Sequence, residues 1–299
     1  MLAWPREIEL ALPPDYQDAD IASYLQTQYP DTPLKYVILR KSLDARRKGQ
    51  VRWRLQLLVG LNLAEPEISK AFASQYGQGN KARVLIIGSG PAGFFAGLAL
   101  VLAGFKVTIL EQGAPVAERQ QDIANLEKSG LLQDFSNYAF GEGGAGTFSD
   151  GKLTARGKNM DQEKEFIFQT FIQAGAPEEI RYLQHPHLGS DNLSAMVQRM
   201  RLMYQEKGGE ILFRQQVCDM DVAQNKVRCF RTDKTEFTAD YYICAPGNAS
   251  FATFRLLLAK GAVFQPKPFA IGARAEHPQT LINQAQWGVP VLAGVKAAE

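Results

Sequence analysis

The stretch that most constrains this chain is Arg83–Glu111. Residues 83–87 (Arg-Val-Leu-Ile-Ile) read as a buried strand, and Gly88, Gly90 and Gly93 follow in G-x-G-x-x-G spacing. A helix-forming run opens on those glycines, and a second apolar run, Lys106–Leu110, closes on Glu111. Strand, glycine turn, helix, strand and acid is the order of a dinucleotide-binding βαβ unit. Gly88 permits the tight turn, Gly90 lets a pyrophosphate approach the backbone, and Gly93 lets helix and strand pack closely. Ser89, Pro91 and Ala92 complete the phosphate-facing turn, and the new helix aims its free N–H groups and positive end at the anion. Glu111 stands 23 positions after Gly88. There it can accept from a ribose 2′-hydroxyl and repel a 2′-phosphate. Gln112 adjoins it in the same group of cofactor residues.

Composition bounds the rest. The chain has 299 residues, about two domains by length, and 45% of them are hydrophobic. A net charge of +2 does not by itself call for nucleic acid. Cys218, Cys229 and Cys244 form no CxxC and are odd in number, which argues against a disulfide framework or a zinc site. All three fall on strand-like runs, so buried structural thiols are expected. With three histidines, no metal centre is expected. The longest apolar run, Ala92–Phe105, is 14 residues, too short to span a bilayer. The first residues lack the apolar core of a secretion signal, so a reducing cytoplasm is expected.

The organisation expected is an N-terminal small α+β domain with its linker over 1–80, a dinucleotide-binding domain over 81–250, and the start of a substrate domain over 251–299. The middle domain would carry a helical insertion at about 156–209. In the first domain Asp18 or Asp20 would cap a helix reaching Tyr29, Tyr36–Leu39 and Val51–Leu58 are strand-like, and Glu67–Tyr76 reads as helix. Lys35, Arg40, Lys41, Arg46, Arg47, Lys48, Arg52 and Arg54 face only Asp44. That run is either a site for an acidic partner or, the preferred reading, a solvated hairpin face. Helices are expected at Val116–Ser129, Asp161–Ala174, Asn192–Lys207 behind Asp191, with apolar positions 193, 196, 197, 200, 203 and 204 on one face, and Ser250–Lys260. A strand at Glu210–Phe213, a meander of Val217–Val222, Lys226–Arg231 and Thr235–Thr238 with turns at Gln224-Asn225 and Asp233-Lys234, a strand Tyr241–Cys244 and a strand Phe269–Glu276 complete the reading.

The second informative stretch is Phe140–Leu153, with five glycines between 141 and 151. So many glycines suit a backbone pressed against a flat ligand or an anion, and consecutive N–H groups there can form a nest. Gly143, Gly144, Ala145 and Gly146 supply the close approach; Thr147, Ser149, Asp150 and Lys152 supply polar handles. Arg119, eight residues past Glu111, is either a pyrophosphate partner or a surface cation. His185 and His187, flanking Pro186, are weak candidates for proton transfer, as Lys152 is for catalysis.

Taken together, the βαβ unit, the meander, the strand ending at Ala245-Pro246-Gly247, the loop FGEGGAGTFSDGKL, the run His185–Asp191 and the run Lys267–Pro278 resemble a bacterial family of largely uncharacterised FAD-dependent dehydrogenases. These are relatives of the glutathione-reductase-like flavoproteins with two dinucleotide-binding domains. The resemblance implies an α/β fold with a Rossmann-like FAD domain and extended, non-covalent FAD. Gly88, Gly90 and Gly93 would face its pyrophosphate, Glu111 the ribose, Val217 the adenine, Ala245–Gly247 the pyrophosphate again, and the 141–152 loop the isoalloxazine. It implies an oxidoreductase of unknown small-molecule substrate, with NADH or NADPH as candidate donor and no nucleic-acid or membrane partner. Gly247-Asn248-Ala249-Ser250 departs from the family's Gly-His-Ser-Ala-Arg-Asp-like run, and no Gly-Asp pair occurs, so a truncated member with impaired cofactor contacts is expected. The competing readings are an NAD-binding dehydrogenase and a non-catalytic nucleotide-binding scaffold.

Overall fold

The computed structural model describes residues 5–63, 81–149, 151–153, 160–186, 188, 190–273 and 275–295. The expected helix at 67–76 lies outside them. In chain order come β1 (Arg6–Leu12), α1 (Asp18–Gln28), β2 (Lys35–Asp44), β3 (Arg52–Gly60), β4 (Arg83–Ile87), α2 (Pro91–Leu102) and β5 (Lys106–Leu110). Then follow α3 (Val116–Ser129), α4 (Asp161–Gln173), α5 (Ser190–Glu206), β6 (Glu210–Leu212), β7 (Val217–Ala223) and β8 (Lys226–Thr232). β9 (Glu236–Phe237), β10 (Tyr241–Cys244), α6 (Phe251–Ala259) and α7 (Gln279–Trp287) complete the chain.

Two compact units result. The first gathers Met1–Glu67, Arg181–Pro186 and Lys267–Glu299. Its sheet is antiparallel in the order β1-β3-β2. Leu55, Leu57 and Val59 recur every second residue on central β3, so one face of the strand is wholly buried, against Leu10, Leu12 and the α1 residues Ile21 and Leu25. The other face carries the arginines. Asp44 takes hydrogen bonds from Arg46 at 2.6 Å and Arg54 at 2.8 Å, and the Arg46 guanidinium holds its carboxyl well below the usual carboxylate range. Lys41 turns inward instead, its ammonium 4.6 Å from the Trp53 ring and 5.1 Å from that of Tyr16. The start of α1 differs from expectation: the N-cap is Gln17, whose N–H donates to the Asp20 carboxylate at 2.8 Å. Later segments join this unit through specific contacts. Lys41 exchanges backbone hydrogen bonds with Tyr182 and Gln184, Gly49 donates to the Trp287 carbonyl at 2.7 Å, and Trp287 is buried beside Val51.

The second unit comprises Ile68–Ile180 and His187–Pro266. Its parallel sheet runs β10-β4-β5-β6. The two-residue period divides β4 between two cores. Val84 and Ile86 face α2 and α5, where Phe94, Leu98, Met196, Met200 and Tyr204 are buried. Leu85 and Ile87 face the meander of β7, β8 and β9, with Val217, Met220 and Phe230. The meander's first turn places Gln224 and Asn225 at φ 51° and 61°, the two positive values of a type I′ hairpin. The stripe expected on α5 is the buried one, through Leu193, Met196, Met200 and Tyr204.

Three expectations are corrected. Over Phe269–Glu276 the described residues form no strand: Phe269 and Ile271 are 84% and 91% exposed, and no described strand pairs with them. A β-run needs a partner ladder as well as strand-like residues. The last meander strand shrinks to Glu236–Phe237, because the Thr232 hydroxyl accepts the N–H groups of Lys234 and Thr235 and holds a turn there. Of the cysteines only Cys229 is buried; Cys218 and Cys244 are exposed. Cys218 falls at the irregularity between Val217 and Asp219, and Cys244 is the last residue of β10.

Leu57→Ala, in the middle of β3, removes a side chain with no exposure. The expected loss is about 2–5 kcal/mol, read as a lower urea midpoint at unchanged slope. An unshifted midpoint would show that this sheet contributes no cooperative core.

Candidate functional site

The strand order reverses at β4: β5 and β6 lie to one side of it and β10 to the other. In open parallel sheets ligands bind beyond the strand C-termini at such a switch point. Here the ends are Gly88 and Ala245. Gly88 adopts φ 101°, and a Cβ on it would sit 2.2 Å from the Ala245 carbonyl oxygen. Only glycine lets β10 close against the turn. Gly93 packs as tightly, since its Cβ would lie 2.0 Å from the Gly88 carbonyl oxygen. Gly90 is different. Its Cβ would meet only the Gly144 Cα, at 3.7 Å, so the side without a side chain faces open space. α2 begins there with Pro91 in its first turn and no side-chain cap. Uncapped N–H groups at a helix start are the donors an anion takes up.

A cleft of about 300 Å³ occupies this point. It brings together Gly88, Gly90, Pro91, Ala92, Glu111, Gln112, Gly144, Ala145, Gly146, Val217, Ala245, Pro246 and Gly247, thirteen of the expected cofactor residues. Ser89, Gly143, Thr147, Ser149 and Lys152 line a separate cavity behind the glycine loop. Gly93 and Arg119 line neither, Asp150 and His187 lie outside the described residues, and His185 is exposed in the other unit.

Arg119 is neither a surface cation nor a pyrophosphate partner. It has no exposure and spends its donors on backbone carbonyls. Nε reaches Asn137 at 2.9 Å, Nη1 reaches Glu142 and Gly144 at 2.8 Å each, and Nη2 reaches Tyr138 at 3.1 Å. The guanidinium lies 4.9 Å over the Phe148 ring. Burial lowers its pKa to about 10, and the carboxylates of Glu111 and Glu142 oppose that shift. Gly141 is required beside it, at φ 120° with a would-be Cβ 2.3 Å from the Arg119 Cδ.

Glu111 is also more committed than its position in sequence suggests. One oxygen accepts the Ser89 N–H at 2.9 Å and the Ser89 hydroxyl at 2.7 Å; the other accepts the N–H groups of Gly113 at 2.9 Å and Gly141 at 3.0 Å. Four protein donors fill about the four lone-pair directions a carboxylate offers. The acid borders the cleft, and its first work is to tie the glycine turn to the glycine loop. A second buried acid, Glu142, was not singled out in the sequence, although an acid inside a glycine run is a usable signal. It accepts from the Val116 N–H at 2.7 Å and from Arg201 Nε at 2.7 Å. The cleft's other unanticipated walls are Gln215, two residues before Val217, and Asn248–Ser250 with Thr253 at the start of α6.

These residues fit a dinucleotide's diphosphate: an uncapped helix start, an open face at Gly90, and main chain at Gly144–Gly146 and Ala245–Gly247. A family model described as FAD binding domain matches residues 81–260, and one described as a domain of unknown function matches residues 4–60. A curated relative from Clostridium beijerinckii, described as an uncharacterized protein, is 34% identical over 84% of this chain and 49% of its own length. The chain thus spans about half the length of that relative. Solved structures similar over part of the chain include a thioredoxin reductase of Lactococcus lactis, at 18% identity, 56% of this chain, 36% of that chain and TM-score 0.31. Another is a glycine oxidase of Bacillus cereus, at 18% identity, 60% of this chain, 58% of that chain and TM-score 0.32.

Glu111→Ala leaves four buried donors without an acceptor. The expected cost is about 3 kcal/mol in the protein stripped of any nucleotide, read by urea unfolding. Unchanged stability with weakened nucleotide binding alone would reassign the acid to the ribose.

Proposed function

Because the chain belongs to the FAD binding domain family, we propose that it is the cofactor-holding part of an FAD-dependent oxidoreductase of the dehydrogenase type. The cofactor is FAD. The observation that carries the activity is the cleft at the β4–β10 switch point, where Gly90 turns an open face to an uncapped helix start. When bound, FAD supplies the two-electron acceptor for a hydride or electron pair.

The chain's own residues position and shield. The first turn of α2 offers its free N–H groups to the diphosphate, and Gly144–Gly146 close over the other side. Ala245–Gly247 bring the end of β10 alongside, with Gly247 at φ 79° and nothing within 4 Å of its would-be Cβ. Gln112, Gln215 and Val217 all border the cleft, and this group is the proposed adenosine side. Glu111 holds the two glycine segments at a fixed separation. Lys152 borders the neighbouring cavity rather than the cleft, so a role in stabilising reduced flavin is not supported by its place.

The substrate is a small molecule, and NADH or NADPH is the proposed donor. No helix among the described residues is long and apolar enough to cross a membrane. The three unpaired cysteines fit a reducing compartment, the cytoplasm.

The purified chain, supplied with FAD, is expected to hold it in about one-to-one ratio with a flavin absorbance spectrum. Gly90→Val should lower FAD affinity by more than about a hundredfold, because the new side chain enters the cleft rather than the protein. Its circular dichroism and urea midpoint should stay near those of the parent. Full FAD retention by a folded Gly90→Val protein would overturn the assignment of the cleft.

A further inference from the structure

We propose that the second cavity of the nucleotide-binding unit is a site for a small carboxylate with an apolar body. It lies behind the glycine loop and measures about 160 Å³. An apolar cavity of roughly that volume accepts a molecule about the size of benzene, so the body is about six carbons. Phe94 and Phe95 of α2, Phe171 of α4, and Leu193 and Met200 of α5 make its apolar walls. Pro91 and Gly146 border both this cavity and the FAD cleft.

Arg201 gives the cavity its polarity. Its side chain is 21% exposed, its Nε is fixed by Glu142 at 2.7 Å, and its guanidinium lies 5.8 Å from the Phe213 ring centroid. Its two terminal nitrogens meet no protein acceptor among the described residues. Those terminal N–H groups are donors left over for a ligand. The hydroxyls nearby cannot substitute as donors. Thr147 donates to the Glu142 carbonyl at 3.0 Å and Ser149 to the Gly146 carbonyl at 2.8 Å. The lining's carboxylate, Glu142, is engaged by Arg201 Nε and by the Val116 N–H, so it leaves the two terminal arms of the fork to a ligand. A carboxylate matches the planar fork of Arg201. A neutral oxygen would accept from the fork without the charge-assisted, two-pronged pairing, and a cation would be repelled by it.

The wall is built from backbone. A Cβ on Gly143, at φ 79°, would lie 2.2 Å from Thr147 Oγ1 and 2.9 Å from Val197 Cγ1; one on Gly151, at φ 68°, would lie 3.0 Å from Leu188 Cβ. The loop therefore presses main chain against α5 and leaves the space to a ligand.

The test is calorimetric titration of the full chain, FAD-loaded and FAD-free, with cyclohexanecarboxylate, cyclohexylmethanol and cyclohexylmethylamine. Saturable one-to-one binding of the carboxylate is expected in both forms, about tenfold or more tighter than the alcohol, as a charge-assisted hydrogen bond provides. Val197→Phe should fill the cavity and weaken the carboxylate by about tenfold or more, with FAD content unchanged, and Arg201→Gln should erase the preference for carboxylate over alcohol. Equal affinity for carboxylate and alcohol in the parent overturns the proposal without need of a variant. Binding only to the FAD-free form, in competition with FAD, overturns it too, by giving the space to the flavin. The FAD-free titration decides the matter even if the cofactor assignment fails.

Discussion

The buried guanidinium of Arg119 is the interaction on which the ligand-facing part of the molecule depends. A glycine run has little preference for any conformation. Residues 137–148 are ordered because four of their carbonyls and one ring converge on a single side chain rooted in α3. Burying a cation is costly in isolation. The cost is offset here because every donor of the fork that the structure shows in use points at a carbonyl, and two carboxylates lie close enough to favour the charged form. A lysine could not replace it, since one ammonium cannot reach carbonyls spread over that arc.

The two acids extend the same device in opposite directions. Glu111 ties the loop at Gly141 to the phosphate turn at Ser89 and to the start of the following segment at Gly113. Glu142 ties it to the first turn of α3 through Val116 and to α5 through Arg201. Three helices and the end of β5 are thereby referred to one loop. This is why the phosphate turn can be held ready without a ligand side chain of its own: the geometry is set by buried charge, and the cleft is lined by main chain.

The sequence showed the parts governed by local rules. The βαβ unit was legible because apolar periodicity, glycine spacing and a terminal acid are each written in consecutive residues. The α5 stripe and the Gln224-Asn225 turn were legible for the same reason. Arg119 was not, because its partners are backbone carbonyls in a glycine run, which have no residue identity to read. For Glu111 the spacing suggests a ribose contact, and nothing in it tells that Ser89, Gly113 and Gly141 return to the same carboxylate. Phe269–Glu276 had the composition of a strand, but pairing is a property of two segments, and composition describes only one.

The glycines of the loop do different work on its two sides, and that difference accounts for their number. Gly144 rests against Gly90 at the cleft, where an added Cβ would come within 2.8 Å of the Gly90 Cα. Gly143 and Gly151 press toward α5 and the region of Leu188, and Gly141 closes on the Arg119 stem. A loop needed only to cradle a diphosphate could carry side chains on its far face. This one carries main chain toward both spaces, so the wall between them is about one backbone thick, and Pro91 and Gly146 border each.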